Sequence, residues 1–402
     1  MTSANPGISA MEPLLPESAG LAKPAMALDR EANALGGRLH PITRRSMAEL
    51  LRTTNTYHSN LIEGHGTRPR DIELALEGRL SSAPEKRTLQ QEARAHIEVQ
   101  RAVERRFESR EPVAVTSPDF LRFLHREFYE LMPDEWRKVR SHDGTRELTV
   151  LPGELRQEEV DEGRHVPPAP AAIPRLLERF GEAYDPGRFA EIDAILAVAA
   201  SHHRLLWIHP FLDGNGRVAR LFTDAYLRRV GIGGHGLWTA SRGFARHRIR
   251  YFDALAAADA ERWNDYDGRG ARSQVALTAF CRFFLETCLD QVRFMGSLLE
   301  LDGLLARMRD YAGRRGGGGI GERLAPQAGH LLVEALLLGE FARGDAARIT
   351  GTSDRTARRI LAALVKEKLL LSDTPKGPIR LGLPVHVVGY YFPQLFPEGA
   401  LN

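Results

Sequence analysis

Residues 209–220 read HPFLDGNGRVAR. The stretch joins two apolar segments with a run of polar and turn-forming residues. Upstream, EIDAILAVAASHHRLLWI (191–208) is apolar nearly all round, the mark of a helix buried at the centre of a domain. Downstream, NGRVARLFTDAYLRRVG places Val218, Leu221, Phe222, Ala225 and Tyr226 on one stripe, so a second helix follows at once. The reading is helix, tight loop, helix.

The loop carries chemistry. A helix beginning near Asn215 leaves its first N–H groups unpaired at its positive end, a natural seat for phosphate. Gly214 and Gly216 let backbone approach a ligand without a Cβ in the way. Arg217 and Arg220 lie three apart on one face, where both guanidinium forks can engage phosphate oxygens. Asp213 is the kind of oxygen donor that Mg²⁺ takes beside nucleotide phosphates. His209 has the unperturbed pKa of a base that works near neutrality. The loop supplies no serine or cysteine nucleophile, so an outside hydroxyl is expected to attack. Taken singly, each feature is also structural: DGNG is a good turn, and either arginine can pair with Asp224 along the helix.

Working outward, residues 1–35 are rich in Pro, Ala, Ser and Gly and read as a flexible lead-in. TRRSMAELLRTTNTYHSNLIEG (43–64) has helical spacing and ends on a glycine suited to a C-cap. LQQEARAHIEVQRAVERRF and PDFLRFLHREFYELM continue the helical pattern. Residues 140–170 change character, with RELTVLPGEL, a charged turn QEEVDEGR and HVPPAP predicting a short exposed β-hairpin and an extended proline segment. Helices resume to about 312. GRRGGGGIGER (313–323) reads as a linker, because consecutive glycines lose the most entropy on ordering.

Beyond it the pattern is helix, helix, helix, then a Pro/Gly-containing segment PKGPIRLGLP, which looks like a winged helix-turn-helix. Residues 341–380 hold nine basic residues (Arg343, Arg348, Arg355, Arg358, Arg359, Lys366, Lys368, Lys376, Arg380) against four acidic ones (Asp345, Asp354, Glu367, Asp373). The local excess makes Arg355, Arg358 and Arg359 candidate DNA contacts, with packing, dimerisation or target docking as the alternative uses of such a module.

HPFLDGNGRVAR also resembles the Fic-domain signature, H-x-F-x-D/E-G-N-G-R-x-x-R. The resemblance implies a mainly α fold: a Fic-type helical bundle with a small β-hairpin flap. It also implies a protein adenylyltransferase, in which a target Ser, Thr or Tyr hydroxyl attacks the α-phosphate of ATP. By that resemblance His209 deprotonates the hydroxyl, Asp213 holds Mg²⁺, Gly214, Asn215 and Gly216 form the anion hole, and Arg217 and Arg220 grip the outer phosphates. SNLIEG (59–64) fits the family's inhibitory pattern S/T-x-x-x-E-G/N through Ser59, Glu63 and Gly64. A Glu63 carboxylate can satisfy the Arg220 fork and displace phosphate from it. The hairpin near Thr145–His165 corresponds to a flap that registers the target peptide by strand addition. Tyr251, in SRGFARHRIRYFDAL, falls in the segment that lines the nucleotide in relatives, although His247 and Phe252 depart from the family's usual Asn and second Tyr there.

The chain is thus expected to divide into a lead-in (1–35), an N-terminal helical region with the inhibitory helix (36–115), the catalytic region (116–312), the linker (313–323) and a winged helix-turn-helix (324–402). Two further functions compete: removal of AMP by the same site, alone or alongside transfer, and a DNA-binding transcriptional regulator with a vestigial Fic domain. The intact set of His, Asp, Asn and two Arg favours an enzyme. A net charge of +3 from 55 basic and 52 acidic residues excludes a global polyelectrolyte field. Cys281 and Cys288, seven apart on a helix, are about 10 Å from each other and cannot pair, which suits a reducing compartment. His202 and His203 point about 100° apart and converge poorly with His209 on a metal. With no leader pattern and no long apolar run, a cytoplasmic protein without a membrane partner is expected, and a homodimer is compatible.

Overall fold

A computed structural model of the chain describes residues 7–109, 111–160, 165–316 and 324–401. The N-terminal helices are α1 (Ala22–Gly36), α2 (Pro41–Ile62), α3 (Pro69–Leu76), α4 (Pro84–Glu108) and α5 (Pro118–Glu130). All but α1 open on proline, whose missing N–H would be unpaired at a helix start anyway and whose φ is already helical. A short antiparallel hairpin follows, β1 (Lys138–Arg140) with β2 (Glu147–Thr149), Val139 opposite Leu148. Then come α6 (Ile173–Ala183), α7 (Glu191–Ile208) and α8 (Asn215–Arg229). The helical part closes with α9 (Ala240–Arg246), α10 (Arg248–Ala258), α11 (Gln274–Leu298) and α12 (Leu301–Gly316).

The last segment runs α13 (Ala328–Leu338), β3 (Glu340–Phe341), α14 (Ala346–Thr350), α15 (Asp354–Lys366), β4 (Leu370–Leu371), β5 (Ile379–Leu381) and α16 (Val385–Tyr391). Its small antiparallel sheet has the order β3-β5-β4. Ser353 caps α15 by accepting from the Thr356 N–H.

The core is built around α7, which packs against α8, α11, α6 and α1. Everything on it from Ala194 to Leu205 is buried, as a helix apolar on all sides requires. Its polar residues are paired inside: His202 bonds Thr223 and the Tyr251 hydroxyl, and Arg204 donates to the Pro13 and Ala258 carbonyls. Each large apolar side chain buried here contributes about 2 kcal/mol relative to exposure.

Three expectations are corrected. The lead-in is structured from residue 7 onward, residues 1–6 lying outside the described part. Ala25, Leu28, Ala32 and Leu35 of α1 form a buried stripe against α11, and the Leu14 carbonyl accepts from the Tyr184 hydroxyl at 2.6 Å. Alanines and leucines at helical spacing carry this packing inside a composition that otherwise suggests a tail. The linker is shorter than expected, because α12 runs through Gly316; Arg315 holds its end by bonding Tyr311 and Glu367. The remainder of that linker, 317–323, lies outside the described residues. The hairpin pairs 138–140 with 147–149, earlier than expected, since the pairing strand precedes the turn at Ser141–Arg146; the acidic stretch beyond continues without a strand to 160, and 161–164 are outside the described residues.

The C-terminal segment is packed on α2. Thr43 donates to the Leu336 carbonyl, Ser46 to the Leu381 carbonyl, and Tyr57 and His58 lie against the Phe396 ring. α2 therefore packs against α4, α8 and α9 as well as against this segment.

Candidate active site

His209 ends α7 in the left-handed region, with φ 49° and ψ 62°. A non-glycine residue there is disfavoured by roughly 1–2 kcal/mol, so the surroundings must hold it. Arg156 does so: its Nε donates to the His209 carbonyl at 2.8 Å, its N–H to the Pro210 carbonyl at 3.0 Å, and its other guanidinium nitrogens to Glu158 and Pro168 carbonyls. The His209 ring stands 6.4 Å, centre to centre, from that of His165, which is itself anchored on the Trp207 carbonyl and Asp259. His209 is only 7% exposed. Burial, reinforced by the nearby His165 and Arg156 charges, lowers its pKa to about 3. The imidazole is therefore neutral at pH 7, the form that accepts a proton.

The loop is shaped from beneath. Phe211 is fully buried and stacks on His125 with ring centres 4.0 Å apart. Asn215 accepts from the Phe211 N–H and donates to its carbonyl, closing the turn on itself. Gly214 has φ +79°, and a Cβ there would lie 2.8 Å from the Tyr129 ring. The Tyr129 hydroxyl uses that approach to donate to one Asp213 carboxylate oxygen at 2.7 Å. His125 accepts the Gly153 N–H at Nδ1, so its proton is on Nε2, which faces the Asp213 carbonyl at 3.3 Å. Asp213 is thus oriented, half-buried, with its second carboxylate oxygen uncommitted to Tyr129.

Both arginines of the loop meet carboxylates from other helices. Arg220 donates through Nε to the Ser59 hydroxyl at 2.9 Å, and through Nη2 to the Ser59 carbonyl and to Glu63 in a close ion pair. Glu63 follows the last turn of α2, and Gly64 beyond it has φ +89°. Gly216 makes the encounter sterically feasible, because a Cβ there would sit 2.5 Å from a Glu63 oxygen. Burial pushes the Glu63 pKa up, but Arg220 and Arg217 outweigh it and hold the carboxyl below its usual range. Arg217 forms its own close ion pair with Glu92 of α4, which also takes His65 Nδ1 at 2.8 Å. α2 is fastened behind this cluster by Asn55, which bonds Asp224, Gln100 and Thr239, and by Thr56 on His96. Asp224 is engaged there and not with Arg217 or Arg220; burial pushes its pKa up to about 7.

The structure brings together His209, Asp213, Gly214, Gly216, Arg217, Arg220, Ser59 and Glu63. Two expected ligands also make scaffold bonds, Tyr251 while lying beside Arg220. The Asn215 side chain is committed to Phe211, and Tyr251 is buried in the core with its hydroxyl on His202. Arg355, Arg358 and Arg359 are exposed on α15, away from this cluster. Sequence reasoning did not find Tyr129, Arg156, His165 or Glu92. Only Glu92 left a trace, as a carboxylate on the otherwise apolar face of α4 with Ala93, His96 and Ile97.

The donor set suits a nucleotide tail and a divalent ion. The open end of α8 offers backbone N–H groups, Arg217 Nε is buried with no hydrogen-bond partner among the described residues, and Asp213 offers an oxygen to a cation. Among the described residues no helix is long and apolar enough to cross a membrane.

Residues 115–227 match the model of the Fic/DOC family. Curated relatives include proteins named protein adenylyltransferase Fic from Drosophila erecta, 37% identical over 79 residues, and from Drosophila yakuba, 38% identical over 79 residues. The match covers 20% of this chain and 16% of each relative, so it spans about a sixth of their length. Among solved structures, a Fic family protein from Desulfovibrio desulfuricans superposes with a TM-score of 0.51 at 20% identity, over 89% of this chain and 95% of that one. Fic-1 from C. elegans (residues 134–508) gives a TM-score of 0.53 at 18% identity, over 71% of this chain and 74% of that one. The loop of His209 to Arg220 lies inside the matched segment, so it is residues 115–227 of the chain that are similar to the Fic/DOC family.

Proposed function

We propose that the chain is a protein adenylyltransferase that moves AMP from ATP to a Ser, Thr or Tyr hydroxyl of a target protein and is restrained by Glu63. The observation that carries this reading is that both loop arginines are occupied by carboxylates, Glu63 and Glu92, beside an oriented Asp213 and a neutral His209. Carboxylates and phosphate oxygens compete for the same donors. In the reaction the target oxygen bonds to the α-phosphorus, the bond to the α–β bridging oxygen breaks, pyrophosphate leaves, and the hydroxyl proton passes to His209. Arg156 holds His209 in its turn, Tyr129 aims Asp213, and Arg217 with Arg220 stabilises charge on the departing phosphates. Mg²⁺, held by Asp213, would neutralise phosphate charge as the bond breaks. The hairpin β1–β2 is read as the flap that presents the target segment by strand addition. Buried free Cys281 and Cys288 favour a reducing, cytoplasmic setting.

The test is the position of the label. Incubation with Mg²⁺, a cell lysate and ATP labelled at the α-phosphate is expected to add label to protein over the lysate alone, whereas ATP labelled at the γ-phosphate adds none over the lysate alone. Retention of the γ label would indicate a kinase instead.

A second role is favoured by α15. The order α13, β3, α14, α15, β4, β5 is compatible with a winged helix-turn-helix, and Arg355, Arg358 and Arg359 are exposed on its third helix. We read this segment as a nucleic-acid-binding module. A DNA duplex is expected to shift in mobility at low salt and to lose the shift by 0.2 M salt, with Arg358→Ala/Arg359→Ala weakening it about tenfold and reducing the salt slope by about two. A shift insensitive to salt and to both substitutions would exclude that use of α15.

A further inference from the structure

The two carboxylates on the loop arginines differ in how they are held. Glu63 follows the end of α2, its side chain is 29% accessible, and the glycine after it is in the left-handed region. A small change at that helix end swings it off Arg220. Glu92 lies inside the 25-residue α4, its side chain 1% accessible, between buried Gln90, Ala93, Ala95 and His96. It cannot leave Arg217 unless α4 moves. Its partner is confined as well: the Arg217 guanidinium carbon stands 5.5 Å from the centre of the Phe128 ring, and Nη2 is bound to Glu92. Nε of the same guanidinium is buried with no hydrogen-bond partner among the described residues.

We propose that Glu92 is a positioning residue that stays on Arg217 when nucleotide binds, fixing the guanidinium between α4 and Phe128 so that its unpaired Nε–H meets the phosphate tail of ATP. Glu63 is the carboxylate that leaves, and Glu92 the one that remains. The inference rests on the assignment of Arg217 to the phosphates beyond the α position. Its physical basis is that a guanidinium held through one nitrogen loses less conformational entropy when its other donors engage an anion. The buried ion pair also balances a charge that would otherwise be stranded in the protein.

Positioning and inhibition predict opposite signs. With the Glu63→Gly form as background, Mg²⁺–ATP and AMP are titrated calorimetrically into that form and into Glu63→Gly/Glu92→Gln. Glu92→Gln is expected to weaken ATP binding at least tenfold and to leave AMP, which lacks the outer phosphates, within twofold. Glu92→Asp, which keeps the charge and shortens the reach, is expected to show the same ATP-selective loss at smaller size; it decides the matter if the glutamine variant does not fold. Unchanged or tighter ATP binding would make Glu92 a second brake and overturn the proposal. A parallel loss of ATP and AMP would reduce Glu92 to general support of the fold and overturn it equally. If the Glu63→Gly background itself binds ATP no better than AMP, the assignment of the arginines to the phosphate tail fails, and this proposal with it.

Discussion

Glu63→Gly is expected to raise the initial rate of AMP transfer, at ATP well below saturation, by between about 10-fold and 100-fold. A hydrogen bond to a charged group contributes about 1.5–3 kcal/mol, and ATP must displace that interaction before Arg220 can serve a phosphate. The substitution removes the competing anion and little else. Glu63 has φ −75° and ψ −4°, which glycine adopts freely, and α2 remains fastened through Asn55, Thr56 and Ser59. Ser59→Ala should produce a smaller gain, because it deletes a neutral contact to Arg220 and leaves the carboxylate in place. Equal rates for the parent and the Glu63→Gly form, measured with α-labelled ATP, would show that Glu63 is not a brake.

In the same background His209→Ala is expected to slow transfer by a factor of about 10²–10⁴, the usual contribution of a positioned general base, with ATP affinity little changed. The pH dependence follows from the environment of the ring. Burial lowers the His209 pKa to about 3, so the fraction able to accept a proton stays near one as pH falls from 7 to 5. An imidazole at its ordinary value near 6.5 would lose about 25-fold in active form over the whole of that change. The rate should therefore not follow a titration centred on 6.5 over the range in which circular dichroism shows the chain folded. A tenfold fall per pH unit below 6.5, present in a His65→Ala control as much as in the parent, would place the base outside this buried setting.

The chain's local code made the loop and its flanking helices legible. Glycines at 214 and 216, an apolar helix before them and an amphipathic one after them admit few other backbones. The end of α2 at Glu63 and Gly64 was equally plain, because a left-handed glycine is a local requirement. Where composition was read instead of spacing, the expectation failed: α1 hides four buried residues at helical intervals in a stretch rich in Ala and Pro. Asn215 and Tyr251 were ambiguous for another reason. Their residue types fit both a ligand contact and a scaffold bond, and only the neighbours choose: Phe211 takes the amide of one and His202 the hydroxyl of the other.

Residue order alone was enough to specify which groups could do phosphate chemistry, since those groups share twelve consecutive positions and their spacing on a helix is set by backbone geometry. It could not specify how each is aimed. Arg156, Tyr129, Glu63 and Glu92 reach the loop from 53 to 157 positions away, and such contacts exist only once α2, α4, α5 and the segment after β2 have packed around α7 and α8. Whether an arginine waits empty or filled, and whether a histidine is charged or neutral, depends on burial and on charges brought near by that packing, because Coulomb and desolvation energies follow distance in space and not position along the chain.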